Sequence, residues 1–288
     1  MRFGISTHIF HDRRLGRDHL AQIADHGFDT IELFATRSHF DYRDEAAVAQ
    51  LGEWLSETKL TLNSIHAPIT DVFGGHGWKA TYSNAVGAHD RREQAVRETE
   101  AALQIVKRLQ FDVLVLHLGT PANMQNPDDN HRSAAIRSLE EVCRVAEPLG
   151  IRVAVEVIPN RISDPTSLVA MLDHDMEEVR PGICLDFGHA HLMGDVADAI
   201  ETVAEHVIAT HVHDNHGRED EHLVPYKGSI DWDLALVTMQ KIGYEGVYLM
   251  ELAGGDTGPA PAGAGRAAAT LEEARRARQR FERALAHA

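Results

Sequence analysis

The feature that most constrains the fold of this chain is a regular alternation of short β-rich runs with stretches of helical periodicity. Runs of four to eight residues rich in β-branched side chains indicate strands, and apolar residues recurring every three or four positions indicate helices. The predicted strands are Phe3–Thr7, Thr30–Phe34, Thr61–His66, Val113–His117, Val153–Val157, Gly182–Asp186, Val207–Val212 and Gly246–Glu251. The predicted helices are Arg17–His26, Asp44–Thr58, Arg91–Leu109, Arg132–Leu149, Thr166–Asp175, Val196–His206, Trp232–Ile242 and Ala269–Leu285.

Eight strands that alternate with helices predict an α/β fold, a closed (β/α)8 barrel that takes up residues 1–288 as a single domain. The alternative is a doubly wound open sheet, which gathers its ligands at one or two switch points and not at many strand ends. The low-complexity stretch at 253–269 is rich in Ala, Gly and Pro, and we interpret it as a loop before the last helix, not as a linker between domains.

Imidazole and carboxylate side chains stand at the C-terminal ends of most of the predicted strands. The densest group is HVHDNHGREDEH at 211–222, directly after the seventh strand. Barrel enzymes carry their active sites at this end of the strands, and neutral imidazole and ionised carboxylate are ligands of divalent metal ions. The candidate ligands are His66, His117, Glu156, Asp186, His189, His211, Asp220, His222 and Glu251.

Three carboxylates in apolar surroundings give the strongest reason to expect a metal. Glu156 lies in Val-Ala-Val-Glu-Val, Asp186 in Gly-Ile-Cys-Leu-Asp, and Glu251 in Val-Tyr-Leu-Met-Glu. A buried carboxylate is costly unless a cation pairs with it, and three of them near one axis repel one another. A single such residue at a strand end is more often a core or capping group, so the prediction rests on the joint pattern.

Two further residues near the strand ends are assigned supporting roles. His213 follows His211 by two positions, so both point to the same face of a strand, and one could ligate while the other forms a hydrogen bond. Glu32 is predicted to be buried at the end of the second strand, where it could support a metal ligand from behind.

The Gly-rich segment at 71–88 follows the third strand on the same side of the predicted barrel. Its aromatic residues Phe73, Trp78 and Tyr82 could cover a small substrate. An equally good interpretation is a packed loop with aromatic anchors, and the sequence leaves both open.

Composition and charge limit the partners of the chain. With 44 acidic and 28 basic residues the net charge is −16, and such a surface repels nucleic acids and anionic membranes, although bound metal ions can invert the sign locally.

The N-terminus carries no signal-peptide pattern, and no apolar run approaches the roughly 20 residues that span a bilayer. Cys143 and Cys184 lie in apolar patterns and are expected to be buried thiols of a reducing, cytoplasmic compartment.

These motifs resemble those of the xylose isomerase-like TIM-barrel superfamily, which includes sugar phosphate isomerases and epimerases, ketose 3-epimerases, inosose dehydratases and endonuclease IV. The resemblance covers nearly the whole chain. It rests on HAP at 66–68, VLHLG at 115–119, Glu156, LDFGH at 185–189, HVHDN at 211–215, DEH at 220–222, KGSIDW at 227–232 and Glu251. It implies a divalent-metal enzyme acting on a small sugar-like molecule, and barrels of this type often form homo-oligomers.

Similarity to the sugar epimerase branch implies one Mn, Zn, Mg or Co ion on Glu156, Asp186, His211 and Glu251. The two glutamates would act as acid and base around a metal-stabilised enediolate, and His189 would contact substrate oxygens. Further candidates for substrate binding are His66, His117, Arg218, Lys227 and Trp78. The ketose 3-epimerases usually have another Glu shortly after the strand-five Glu, and EVIPNRIS at 156–163 departs from that pattern.

Similarity to endonuclease IV implies instead three ions on nine ligands. One ion would use His66, His117 and Glu156, a second would add Asp186, His211 and Glu251, and a third would use His189, Asp220 and His222. The Asp220/His222 pair discriminates between the branches, because a one-metal site does not need it. No basic patch with interleaved aromatic residues is evident. The sequence therefore predicts a metal-dependent sugar isomerase or epimerase with one to three ions, and a multinuclear phosphoester hydrolase is the alternative.

Overall fold

Eight parallel strands close into a barrel in the computed structural model, which describes residues 2–73, 78–122, 127–176, 178–254 and 266–285. The barrel strands are β1 (Arg2–Ser6), β2 (Thr30–Phe34), β3 (Thr61–His66), β6 (Val113–Leu116), β7 (Arg152–Glu156), β8 (Gly182–Asp186), β9 (Val207–Val212) and β10 (Val247–Met250). Strands β4 (Thr70–Phe73) and β5 (Trp78–Thr81) form a separate antiparallel pair after β3.

The barrel is surrounded by helices, nine of which belong to the described ranges. They are α1 (Arg17–Asp25), α2 (Glu45–Thr58), α3 (His89–Leu103), α4 (Arg132–Ala146), α5 (Pro165–Asp175), α6 (Phe187–Met193), α7 (Val196–Val203), α8 (Trp232–Lys241) and α9 (Arg266–Leu285). None of these combines the length and the apolar character that crossing a membrane requires.

The closure of the sheet decides between the two architectures that the sequence left open. Strand β1 pairs with β2 on one side and with β10 on the other, so the sheet has no edge and the open-sheet alternative is wrong. Every predicted strand agrees with an observed one to within a residue at each end. The loop predicted at 253–269 lies mostly outside the described residues.

Helix α6 and the β4–β5 pair were not predicted from the sequence. Helix α6 has only seven residues, too few to display a helical period. It begins directly after Asp186, whose carboxylate accepts a hydrogen bond from the backbone N–H of His189 at 2.6 Å. This N-cap hydrogen bond holds the first turn of α6, and with it His189, close to the C-terminal end of β8.

Alternation along the strands determines which side chains face the inside of the barrel. In β7, Val153 and Val155 pack in the main core with the helices, whereas Ala154 belongs to a small apolar cluster with Cys184. Glu156 follows Ala154 by two positions and Asp186 follows Cys184 by two, so both carboxylates share the inward face. The two cysteines are buried and free, as expected.

Candidate metal centre

A central group of four ligand-type residues lies at the C-terminal mouth of the barrel. It consists of Glu156, Asp186, His211 and Glu251, whose potential ligand atoms all lie within 4.8 Å of one another. His211 Nδ1 is 3.3 Å from Glu156 Oε2, 3.4 Å from Glu251 Oε2 and 3.9 Å from Asp186 Oδ2. All four side chains are buried.

The donor atoms of this group fit a divalent cation. Within the described ranges, His211 Nδ1 and both carboxylate oxygens of Glu156 are buried without a hydrogen-bond partner. Leaving such atoms unpaired in the interior costs about 1–3 kcal/mol each, and more for a charged group. A divalent ion bound among them would satisfy all these lone pairs, and a set of three carboxylates and one imidazole suits Mn, Zn, Mg or Co.

A first flanking group shares the Glu156 carboxylate. His66 Nε2 lies 3.3 Å and His117 Nε2 lies 3.1 Å from Glu156 Oε2. These three residues form a set that could hold an ion of their own. Glu156 belongs to both groups, so its carboxylate could serve as a ligand in either of them.

A second flanking group comes from α6 and the loop after β9. Asp220 Oδ2 lies 3.2 Å from His189 Nε2 and 3.2 Å from His222 Nε2. His213 also belongs to this group, although the sequence alone did not place it there. Its Nε2 lies 3.0 Å from Asp186 Oδ1. All nine predicted ligands are thus brought together, in three adjoining sets.

The orientation of the histidines is fixed by hydrogen bonds to backbone carbonyls. Nδ1 of His66 bonds to Ala67 O at 2.9 Å, and Nδ1 of His222 bonds to Glu251 O at 2.9 Å. His189 Nδ1 lies 3.0 Å from Val157 O. A carbonyl only accepts, so each Nδ1 carries a proton and Nε2 is the nitrogen directed toward the centre, as in metal-ligating histidines.

Opposite charges determine the protonation of the second flanking group when no ion is bound. Burial by itself lowers the pKa of His222, but Asp220 and other carboxylates outweigh it and raise this pKa to about 10. Burial raises the pKa of Asp220, whereas His222 and His189 bring it well below its ordinary value. Protons on imidazole therefore balance the carboxylates, and a metal ion would have to displace them.

A cavity lies over these groups. His66, His117, Glu156, His189, Asp220, His222 and Glu251 form its polar floor. Phe34, Ile69, Tyr82 and Pro121 contribute apolar walls. Such a site suits a small molecule with one polar and one apolar face.

His8 also lines the cavity and was missed by sequence reasoning. It is buried in a short 3-10 helix, Thr7–Phe10, that directly follows β1, and its ring lies 5.0 Å from that of His222. A single His after the first strand carries no signal of its own. The only available hint was its position at the same end of a strand as the other candidates.

Three predicted substrate-binding residues are not placed at the cavity by the described structure. Arg218 is exposed in the loop after β9, and Lys227 is about half exposed and forms an ion pair with Glu273 of α9 at 2.9 Å. Trp78 belongs to β5, but its side chain lies outside the described part, as does that of Phe73. Of the three aromatic residues at 71–88, Tyr82 lines the cavity.

The KGSIDW motif has a structural role that explains the position of Lys227. Asp214 accepts hydrogen bonds from the backbone N–H groups of Tyr226 and Ile230 and from the indole N–H of Trp232, at 2.9, 3.2 and 2.9 Å. A side chain on Gly228 would clash with Asn215 O at 2.3 Å. These hydrogen bonds hold residues 226–232 against the end of β9, and Lys227 remains at the surface.

The closed eight-stranded barrel is the architecture of a TIM-barrel protein. The histidines and carboxylates at its C-terminal mouth form a candidate metal site. The chain belongs to the xylose isomerase-like TIM barrel family, whose model matches residues 20–279.

Individual relatives agree with this assignment. An uncharacterised protein of Methanocaldococcus jannaschii is 28% identical over 260 residues, which are 87% of this chain and 83% of that protein. A structure of D-psicose 3-epimerase in the presence of D-fructose is similar with a TM-score of 0.78 at 20% identity, covering 99% of each chain. The IolI protein with a binding zinc atom is similar with a TM-score of 0.72 at 18% identity, covering 98% of this chain and 96% of that one. At these identities the two structures show a shared fold.

Proposed function

We propose that the protein is a divalent-metal-dependent isomerase or epimerase of a small sugar, sugar phosphate or polyol. The observation that carries the proposal is the convergence of Glu156, Asp186, His211 and Glu251, in which His211 Nδ1 and both carboxylate oxygens of Glu156 are buried without a hydrogen-bond partner among the described residues. The substrate class is supported by the similar fold of D-psicose 3-epimerase, and the metal by the zinc in the similar IolI structure.

The two glutamates are arranged for proton transfer on two sides of a substrate. Glu156 ends β7 and Glu251 follows β10, and these strands are separated by β8 and β9 in the ring, so the carboxylates approach the centre from different directions. One glutamate, as the carboxylate, can remove a proton next to a carbonyl, and the other, as the carboxylic acid, can donate its own proton to the opposite face or to the neighbouring carbon. Glu156, Asp186, His211 and Glu251 would hold the divalent ion, which would supply Lewis acidity toward the substrate carbonyl.

The remaining side chains of the floor can bind and orient hydroxyl groups. His66, His117 and His189 line the cavity and direct Nε2 toward the carboxylates. His8 contributes a further imidazole on the wall. The apolar walls would exclude water from the reacting carbon while the polar floor binds substrate oxygens.

A second candidate function is a multinuclear phosphoester hydrolase. The specific observation in its favour is that both flanking groups are assembled, including the Asp220 and His222 pair. Two or three divalent ions at these groups would neutralise the charge that develops at phosphorus. The net charge of −16 disfavours a nucleic-acid substrate but not a small phosphoester.

Metal content and solvent deuterium exchange together test the proposal. Metal per chain is measured by elemental analysis after purification without chelator. The protein loaded with Mn, Co, Zn or Mg is then incubated in D2O with ketoses, sugar phosphates and inososes, and with a phosphoester panel that includes an abasic-site duplex.

We expect one tightly bound ion and deuterium incorporation next to the carbonyl of one sugar class. Glu251→Gln should abolish the exchange, whereas Glu98→Gln, a matched change of a buried carboxylate that neither lines the cavity nor belongs to a ligand group, should retain it. Three ions with phosphoester cleavage would replace the proposal by the second candidate. Absence of exchange with every sugar, in protein that holds its metal, would refute the isomerase.

A further inference from the structure

Glu32 is a fully buried carboxylate inside the barrel that the mechanism above does not use. It lies in β2, opposite Ser64 of the neighbouring strand β3. Ser64 Oγ donates a hydrogen bond to Glu32 Oε2 at 2.9 Å. Burying a carboxylate costs free energy unless hydrogen bonds or an opposite charge compensate it.

The partner of Glu32 is the metal-ligand candidate His211. His211 Nε2 lies 3.2 Å from each of the two carboxylate oxygens of Glu32. On its other edge, His211 Nδ1 faces Glu156 and Glu251 at 3.3 and 3.4 Å. The imidazole therefore stands between a carboxylate behind it and the proposed metal centre in front of it.

This arrangement determines which nitrogen of His211 carries the proton. The Glu32 carboxylate accepts from Ser64 and has no proton to offer, so the hydrogen bond with His211 requires Nε2 to be the donor. Nδ1 is then the nitrogen available to a metal ion, and among the described residues that atom has no hydrogen-bond partner. The tautomer held by Glu32 is the one that a metal ligand needs.

His211 differs in this respect from the flanking histidines. His66, His189 and His222 are each held at Nδ1 by a backbone carbonyl, which is a neutral acceptor. His211 alone among these four is held by a charged acceptor, and its orientation is reversed so that Nδ1 faces the centre. A carboxylate partner polarises the ring more strongly and makes it a better electron-pair donor.

A small polar cavity on the N-terminal side of Glu32 makes the buried charge tolerable. Glu32, Asn63, Ser64, Thr210 and Tyr244 contribute to its lining, and it has room for a water molecule. A water molecule in this cavity could form a hydrogen bond with Glu32 from the side opposite His211.

We propose that Glu32 is a positioning residue that fixes the Nδ1-ligating tautomer of His211 and thereby sets the affinity of the central site for a divalent ion. The inference rests on the metal site of the proposed function and assigns a determinant of its strength. Glu32 itself touches neither the ion nor the substrate.

Calorimetric titration of the metal-depleted protein with Zn or Mn tests the inference. We expect Glu32→Gln to weaken binding about 10- to 100-fold, because the amide keeps the shape but removes the charge and permits the wrong tautomer. Glu98→Gln is the matched control: Glu98 is also buried and hydrogen-bonded, to Tyr42 and Arg43, but it lies in helix α3 and belongs to none of the ligand groups of the barrel mouth. The Glu98→Gln variant should bind the metal with the affinity of the wild type, even if its free energy of unfolding is lower.

A histidine nitrogen NMR spectrum of the zinc-loaded protein provides a second readout. We expect a protected Nε2–H for His211 in the wild type and its loss in Glu32→Gln. If that variant does not fold, Ser64→Ala, which removes one donor to Glu32, should weaken binding severalfold. Equal affinities of wild type and Glu32 or Ser64 variants would overturn this inference alone, whereas a wild type that binds no divalent ion would overturn the proposed function.

Discussion

His211 Nδ1 and Glu156 Oε2 face each other across 3.3 Å, and neither atom has a hydrogen-bond partner among the described residues. Two electron-pair donors at this separation in a buried site stabilise each other only if a proton or a cation lies between them.

Glu156→Gln should weaken divalent-metal binding by about 100-fold or more, since it removes the one carboxylate that the central and first flanking groups share. The metal-depleted protein should also be less stable than the wild type near neutral pH: burial alone raises the pKa of Glu156, but His117 and His211 outweigh it and hold this pKa well below its ordinary value, so the change removes the charge that pairs with these imidazoles. Calorimetry measures the first effect, and thermal unfolding with chelator measures the second. A variant that binds metal like the wild type would contradict the assignment of Glu156 as a ligand.

Binding of a second, weaker ion at the second flanking group should strengthen as the pH rises from 7 to 9. His222, with a folded-state pKa of about 10, carries a proton that the ion must displace. The stabilisation from that imidazolium is complete below about pH 6.5, the ordinary histidine pKa, and is lost as the pH rises through 10, so competition from protons weakens in the same direction. Calorimetry in buffers of different ionisation enthalpy should detect proton release. Binding without proton release would show that the imidazoles are already neutral.

The double variant Asp220→Asn/His222→Asn should retain one tightly bound ion per chain, because the central group does not use either side chain. Deuterium exchange into the sugar substrate should persist within about 10-fold, which corresponds to about 1.4 kcal/mol. Elemental analysis and NMR of the product provide the two measurements. Complete loss of both metal and exchange would mean that the second flanking group is part of the catalytic centre.

His8→Phe should raise KM for the sugar substrate about 10-fold while the metal content stays unchanged. His8 Nδ1 bonds to Leu252 O at 3.3 Å, which leaves Nε2 as an acceptor for a substrate hydroxyl, and loss of such a hydrogen bond costs about 0.5–1.5 kcal/mol.

Lys227→Ala serves as the comparison for the His8 variant. It changes a surface ion pair with Glu273, so its KM should equal that of the wild type. An unchanged KM for His8→Phe, or a raised one for Lys227→Ala, would reverse the assignment of these two residues.

Most of the barrel was predictable because its signals are local. The period-two alternation in Val-Ala-Val-Glu is enough to place Glu156 on the inner face of β7, and the same argument places Asp186 and His211. The side chain of Lys227 could not be located in this way. Its position depends on three hydrogen bonds that Asp214 accepts from the following loop, and these form only in the folded chain.

The sequence by itself determined the eight strands, their inward faces and the ligand-type residues at their ends, because alternation and apolar periodicity are properties of neighbouring residues. The tertiary structure alone decided which residues meet across the barrel. Glu32 lies 179 positions before His211, yet it holds one nitrogen of that imidazole, and His8 reaches the ring of His222. These contacts depend on the closure of the sheet between β1 and β10, and local sequence does not encode the distance between strand ends that closure creates.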